Sequence, residues 1–168
     1  MQALRIVTIR KVAGADHAEI LTINAGSRPA VAPLDRAELG RLLAFGGTHL
    51  VAVADDRAVV GYLLAFAQSC AYDGEEFRYF AAQLRQPFLY VDQIAVDPQR
   101  KRAGIGGRLY AALLEHARAQ QAQLLCCEVN TTPANPASLD FHRRLGFAPI
   151  GNGDTLDGRR VTFLVRSV

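Results

Sequence analysis

Two spacings of apolar residues divide this chain into strands and helices. Alternating or continuous apolar runs rich in branched side chains are typical of strands, whereas a repeat of three to four residues is typical of helices. We predict strands over residues 4–12, 49–54, 59–66, 89–96, 123–129, 147–150 and 160–165. Helices are predicted over residues 15–25 and 35–45, from 75 onward, over 105–117 and over 135–146. The order is a strand, two helices, a hairpin, and then strands alternating with helices.

The stretch over residues 88–110 organises the rest of the chain. Its first half is a buried strand that Asp97 and Pro98 end, because proline cannot extend a ladder of hydrogen bonds. Its second half is a helix with Leu109 and Leu113 on the packed face. The turn between them is basic and carries glycines, which leave backbone N–H groups uncovered at a helix start. The sequence therefore predicts a phosphate-binding turn over residues 101–106.

The spacing excludes two common phosphate-binding motifs. A P-loop ends in Gly-Lys-Ser/Thr, whereas this turn continues as Gly106-Gly107-Arg108. A dinucleotide-binding turn needs a further glycine three residues after Gly106, and that position is Leu109. The turn has to belong to another class of phosphate binder.

Two motifs resemble the GNAT superfamily of acyl-CoA-dependent N-acetyltransferases. The turn from Lys101 to Gly106 resembles the family pattern Q/R-x-x-G-x-G/A, with lysine in place of the usual glutamine or arginine. Residues 135–147 resemble the family pattern N-x-x-A/S-x-x-x-Y-x-x-x-G-F, with His142 at the position of the tyrosine. Both motifs are present in the family's order, which makes the resemblance specific.

The resemblance implies a fold and a cofactor. The expected fold is α/β with a mixed sheet: a single N-acetyltransferase domain over residues 1–168, whose central, mostly antiparallel sheet contains one splayed parallel strand pair and is flanked by helices. The expected co-substrate is acetyl-CoA. In the family, a strand bulge binds its pantetheine arm, the turn binds its pyrophosphate, and the last helix contributes further contacts. The matching residues are Ile94, Ala95, Val96, Lys101, Arg102, Ala103, Gly104, Ile105, Gly106, Asn135 and Ser138.

Acetyl transfer to an amine also needs a base and a group that assists the leaving thiolate. Glu128 is the first candidate base: it ends an apolar strand, where burial raises proton affinity, and it resembles the strand glutamate of bacterial enzymes that acetylate ribosomal protein N-termini. Asp92 is the second candidate. Either carboxylate could instead pair with an arginine or face solvent. His142 could protonate the thiolate, hydrogen-bond the sulfur, or take no part in an enzyme that works by positioning.

The segment over residues 70–86 is longer than the connection usual in the family. It combines aromatic and acidic residues, among them Tyr72, Glu75 and Glu76. One interpretation is a wall of the acceptor site that attracts a cationic amine. The other is an amphipathic helix that covers a sheet edge and leaves its acids in solvent. The sequence leaves both open.

Composition narrows the remaining alternatives. The net charge of +3 is modest and scattered, so nucleic-acid binding is not expected. Cys70, Cys126 and Cys127 lack metal-ligand spacing, and no metal is expected. No segment reaches membrane length, so the default location is the cytoplasm. The expected acceptor is a small amine or a peptide N-terminus, and a homodimer is an option that relatives often use. The alternative function is a non-catalytic sensor or interaction domain that binds CoA or acyl-CoA.

Overall fold

The computed structural model describes residues 7–168, so the first three residues of the predicted strand over 4–12 lie outside the described part. The strands are β1 (Thr8–Lys11), β2 (Thr48–Val53), β3 (Val59–Ala67), β4 (Phe88–Val96), β5 (Leu124–Thr132), β6 (Ala148–Asp154) and β7 (Arg160–Ser167). The α-helices are α1 (His17–Gly26), α2 (Arg36–Ala44), α3 (Glu75–Gln83), α4 (Ile105–Ala119) and α5 (Pro136–Arg144).

The strands form one seven-stranded sheet in the order β1-β2-β3-β4-β5-β7-β6. Among the described strands, β4 and β5 make the parallel pair, and the other neighbours are antiparallel. The parallel pairing covers only Phe88–Tyr90 of β4 and Leu124–Cys126 of β5. Beyond these residues the two strands diverge, and we call this point the fork. The predicted mixed sheet with one splayed parallel pair is confirmed.

Helices cover both faces of the sheet. On one face α1, α2 and α3 bury Ile20, Leu39 and Phe80 against the sheet. On the other face α4 buries Ile105, Leu109, Tyr110, Leu113 and Ala117. These α4 positions recur at the helical period, which is why the pattern of the sequence located this helix. The fork lies between these two helical layers.

Local signals fix several helix ends where the sequence placed them. Asp35 caps α2 by accepting a hydrogen bond from the Glu38 N–H at 2.8 Å. Asn135 caps α5 in the same way through the Ser138 N–H at 3.3 Å. Strand β6 runs to Asp154 and so is longer than the predicted 147–150. Its exposed position at the sheet edge and its glycines hide the strand pattern there.

Helix α3 covers a face of the sheet, so the interpretation that it covers an edge is wrong. Phe77 and Phe80 are buried in the same apolar cluster as Tyr90 of β4. Tyr79 stacks on Phe163 of β7 with ring centroids 3.6 Å apart. These contacts bring the acidic first turn of α3 above the fork.

Candidate functional site

A cavity of about 410 Å³ opens at the fork. Its floor is formed by β4 and β5 just beyond their last paired residues. Its walls come from the loop over residues 27–34, from Tyr72 and Glu76 beside α3, from α5 and from the loop between β6 and β7. Because β5 has moved away, the backbone of β4 beyond Tyr90 has no β5 partner on that side. The cavity therefore joins free strand backbone to side chains from both sheet faces.

A β-bulge at Asp92 directs two consecutive polar side chains to one face. On β3, Leu64 is opposite Gln93 and Ala65 is opposite Val91, so Asp92 is the extra residue. The sequence analysis placed the bulge at residues 94–96. In the structure it lies two residues earlier, at Asp92. It changes the phase of the strand, so that Tyr90, Asp92 and Gln93 all face the layer of α1, α2 and α3. A regular strand would have turned one of the two polar residues away.

The first half of the site, the carboxylate side, consists of Tyr72, Tyr90, Asp92 and Glu128. The Tyr72 hydroxyl donates to Asp92 at 2.6 Å, and the Tyr90 hydroxyl donates to Glu128 at 2.8 Å while lying 3.5 Å from Asp92. Burial raises the pKa of Asp92 to about 6. Burial, with the charges of Glu76 and Asp92, raises the pKa of Glu128 well above its usual value. Asp92 is therefore ionised near neutral pH, while Glu128 holds its proton more tightly than an ordinary carboxyl does.

The second half, the histidine side, consists of Tyr110, Cys127, Ser138 and His142. The His142 Nδ1 lies 2.8 Å from the Ser138 carbonyl oxygen, which can only accept, so Nδ1 carries a proton. The Nε2 atom of the neutral ring therefore accepts from the Tyr110 hydroxyl, 2.8 Å away. Burial lowers the pKa of His142 and raises the pKa values of Tyr110 and Cys127. All three side chains are neutral at physiological pH.

The predicted phosphate-binding turn lies beside the start of α4. Lys101 and Arg102 are exposed, and neither has an ion-pair partner among residues 7–168. Gly104 has φ +74°, a conformation that favours glycine, and the first-turn N–H groups that follow have no partner within the helix. At Gly106 a side chain is excluded for a different reason, because an added Cβ would lie 2.9 Å from the Phe141 ring of α5. The turn thus presents cations and backbone donors, while Gly106 allows α5 to pack closely.

A buried polar network holds the 27–34 loop. The Asn24 amide donates to the Ala32 carbonyl at 2.9 Å and to Gln93 at 3.1 Å, and its oxygen accepts from the Leu34 N–H at 2.9 Å. Gln93 also donates to the Ala32 carbonyl at 3.1 Å and accepts from Tyr62 at 2.8 Å. Because these groups satisfy one another away from water, the loop has a defined position over the cavity.

A second network joins the other walls through Arg159. Its guanidinium donates to Glu76 of α3 at 2.7 Å, to Asn130 of β5 at 3.0 Å and to Asp157 at 2.9 Å. Asn130 in turn donates to the Pro29 carbonyl of the 27–34 loop at 3.4 Å. Four segments of the chain are therefore linked around the cavity: the 27–34 loop, α3, β5 and the loop between β6 and β7.

The structure brings together some of the predicted site residues. Asp92, Glu128 and His142 line the cavity, as do Ile94, Asn135 and Ser138. Ala95, Val96 and the turn over 101–106 lie outside its lining. The sequence analysis missed Tyr110, whose apolar neighbours on the helix made it resemble an ordinary core residue, and Gln93, whose direction depends on the bulge. It noted Tyr72 but could not identify Asp92 as its partner.

Residues 7–168 contain neither a metal-binding cluster nor a membrane-spanning helix. No group of three or more His, Cys, Asp or Glu side chains there could hold a metal ion. No helix in this part of the chain is long and apolar enough to cross a membrane.

Comparisons with known proteins agree on the family. Residues 18–147 match the model of the Acetyltransferase (GNAT) family. The L-methionine sulfoximine/L-methionine sulfone acetyltransferase of Pseudomonas aeruginosa is 33% identical over 98 residues, which are 55% of this chain and only 55% of that relative.

Solved structures agree on the fold. Ard1 from Thermoplasma volcanium superposes with a TM-score of 0.77 at 21% identity, over 96% of this chain and 97% of that one. The yncA protein of Salmonella typhimurium, solved with acetyl-CoA as its cofactor, has a TM-score of 0.69 at 22% identity, over 96% and 94% of the two chains. The matched family model spans both motifs, the fork and helices α2 to α5, and the chain belongs to the GNAT acetyltransferase family.

Proposed function

We propose that this protein is an acetyl-CoA-dependent N-acetyltransferase, in which a primary amine attacks the thioester directly within a ternary complex. One observation carries the proposal: a half-buried carboxyl pair, Asp92 and Glu128, lines the cavity at the fork and is bonded to tyrosine hydroxyls. Family membership makes acetyl transfer the expected chemistry. The carboxyl pair supplies what amine acetylation needs from the protein, namely a proton acceptor beside the thioester.

The residues around the fork fit acetyl-CoA, which would supply an activated acetyl group as its thioester. Lys101, Arg102 and the first-turn N–H groups of α4 would bind the pyrophosphate by charge and hydrogen bonding. The unpaired β4 backbone, including Ile94, would hydrogen-bond the amide groups of the pantetheine arm. Asn135 and Ser138 border the cavity from α5.

Asp92 is the base in this proposal. An alkylamine has a reference pKa of about 10, so it arrives protonated and must lose a proton before it attacks. Asp92, with its pKa of about 6, is ionised near neutral pH and can accept that proton, directly or through a water molecule. Glu128 ranks second because burial and the charges of Glu76 and Asp92 raise its pKa well above the usual value, which disfavours its ionised form. The order of the two candidates is therefore the reverse of the one that the sequence favoured.

Tyr110 and His142 assist the leaving thiolate together. The His142 ring has its only proton on Nδ1, where the Ser138 carbonyl holds it, so Nε2 has no proton to give. The Tyr110 hydroxyl does have one. Tyr110 would turn this O–H from His142 toward the sulfur, and hydrogen bonding would stabilise the developing negative charge. His142 then acts by orienting Tyr110, which differs from the direct proton donation considered for it above.

The acceptor is a primary amine, either a small molecule or a peptide N-terminus. The Pseudomonas aeruginosa relative is named for two amino-acid derivatives, both of which carry a primary amine. A cytoplasmic location, a homodimer, independence of metal and nucleic acid, and a single domain over residues 1–168 stay predictions.

Calorimetric titration of acetyl-CoA, followed by a thiol-release assay with a panel of amines, tests the proposal. We expect binding with the wild-type protein and thiol release that requires both an amine and Asp92. Binding with no release from any amine would favour the alternative, a CoA-binding sensor. Absence of binding would contradict the assignment of the turn over 101–106.

A further inference from the structure

The charges around the cavity are unequal. Five carboxyl groups and two guanidinium groups line it: Glu38, Glu76, Asp92, Glu128 and Asp157, with Arg28 and Arg159. Glu38 is paired with Arg41 of α2 at 2.8 Å, so the excess of negative charge rests on the other acids. A positively charged amine is attracted by this excess of acids, whereas a carboxylate on the same acceptor is repelled by it. Whether an acceptor can carry a carboxylate thus depends on the two arginines.

Arg159 is already engaged. Its charge faces two carboxylates, since it donates to Glu76 at 2.7 Å and to Asp157 at 2.9 Å, and Asn130 takes a third N–H. The Arg159 and Glu76 side chains are 26% and 12% exposed, so solvent screens this pair less than it would a surface pair. Arg28 is exposed on the 27–34 loop, where water competes for its charge.

We infer that the Glu76–Arg159 ion pair determines the acceptor class: a primary amine with no carboxylate beside the nitrogen. The inference rests on the proposed function and deepens it. Glu76 neutralises the one guanidinium that the cavity walls hold in place, and it adds a negative charge of its own. An α-amino acid would have to place its carboxylate among the acids without a free cation at that wall. The segment over residues 70–86 supplies Glu76 and so sets the selectivity.

Matched acceptor pairs test this inference. Each pair is an amine and the amino acid that differs from it only by the α-carboxylate: 3-(methylsulfonyl)propylamine and L-methionine sulfone, 2-phenylethylamine and L-phenylalanine, and 3-methylbutylamine and L-leucine. For wild-type protein we expect kcat/KM to favour the amine by at least about tenfold. The opposite preference, with turnover intact, would overturn the inference and leave the proposed function standing.

Glu76→Gln keeps the shape of the side chain and removes its charge, which leaves Arg159 paired with Asp157 alone and able to bind an acceptor carboxylate through the N–H group that faced Glu76. We expect the preference for the amine to shrink at least about tenfold, chiefly because kcat/KM for the amino acid rises. Glu75→Gln is the matched control, since Glu75 is the adjacent acid on α3 but bonds the Leu156 N–H instead of Arg159. Equal preferences in the two variants would overturn the role of the ion pair.

The double variant Glu76→Gln/Arg159→Gln identifies the cation. If Arg159 binds the carboxylate, the amino-acid activity gained in Glu76→Gln is lost again while activity toward the amine persists. Retention of the gain would overturn the assignment to Arg159. If wild-type protein binds acetyl-CoA but releases no thiol with any acceptor, the proposed function fails, and this inference fails with it.

Discussion

The two sides of the fork differ in exposure and in charge: Asp92 and Glu128 are half-buried, whereas Tyr110 and His142 are fully buried. On the carboxylate side burial raises the pKa values of two acids, and one of them remains ionised near neutral pH. On the histidine side burial lowers the pKa of His142 and raises that of Tyr110, so both remain neutral. The same desolvation thus produces a base on one sheet face and a neutral hydrogen-bond donor on the other.

The difference follows from which partners each side offers. Asp92 and Glu128 accept from tyrosine hydroxyls, which support a negative charge without cancelling it. His142 meets a carbonyl and a hydroxyl and no carboxylate, so burial outweighs these hydrogen bonds and keeps the ring neutral. Acetyl transfer takes a proton from the amine and assists the departing sulfur, and the two sides divide these tasks in the proposed mechanism.

Asp92→Asn should have the largest effect on activity. Asparagine keeps the size and the hydrogen bond from Tyr72 but cannot take the proton of the amine, so kcat/KM should fall at least about 100-fold. Glu128→Gln is the matched control: it removes the neighbouring carboxyl but leaves the proposed base in place, and should cost less than about tenfold. Steady-state thiol release measures both. The reverse order would assign the base to Glu128.

The same Asp92→Asn variant should be more stable than the wild type at high pH. The Asp92 pKa rises from 3.8 to about 6 on folding, so the folded chain holds this proton more tightly. The resulting penalty is absent below about pH 4, grows up to about pH 6, and reaches as much as about 3 kcal/mol above it. Urea unfolding at pH 4 and pH 8 should show a gain only at pH 8. A gain of equal size at both pH values would contradict an ionised, buried Asp92.

On the histidine side, Tyr110→Phe and His142→Phe should each lower turnover at least about tenfold while acetyl-CoA binding is retained. The two residues act as one unit in the proposed mechanism, so the double variant should be little worse than either single variant. Thiol release and calorimetry separate turnover from binding. Unchanged turnover in His142→Phe would remove the histidine from the mechanism, and additive losses would mean that the two side chains act separately.

The pH dependence of kcat/KM should report the ionisation of Asp92. Below pH 6 the Asp92 carboxylate becomes protonated, so the rate should fall with an apparent pKa of about 6. The loss between pH 7 and pH 5 should be about tenfold. In Asp92→Asn this fall in rate at acidic pH should be absent, whereas in His142→Phe it should remain. If the fall in rate were instead lost in His142→Phe, the titrating group would belong to the histidine side.

The smallest effect is expected at the loop over residues 27–34. Gln93→Leu removes the hydrogen bond from Gln93 to the Ala32 carbonyl and leaves the Tyr62 hydroxyl without its acceptor, so the loop should be held less firmly. We expect KM for the acceptor to rise about fivefold with little change in kcat or in KM for acetyl-CoA. Thr48→Val is a control, since it also removes a buried polar contact, to Gln120, but on a strand away from the loop. Equal effects in both variants would indicate a general loss of stability.

Comparison of prediction and structure shows where local information is sufficient. The helical repeat located α4, and the capping residues Asp35 and Asn135 located the starts of α2 and α5, because these signals involve neighbours in the chain. The same repeat hid Tyr110, because a tyrosine on an apolar helix face has the pattern of a core residue. Its hydroxyl acquires a role only when α5 brings His142 within 2.8 Å.

By itself the sequence determined the order of the elements, the family motifs and the candidate acids, since periodicity, glycine turns and capping are properties of short segments. Tertiary structure decided the rest. The register between β3 and β4 created the bulge that aims Asp92 and Gln93 together, and burial decided which acid is ionised near neutral pH. Packing of α3 across the sheet placed Glu76 beside Arg159, 83 positions apart in the chain. Register, desolvation and long-range ion pairing depend on segments distant in sequence, and no local pattern encodes them.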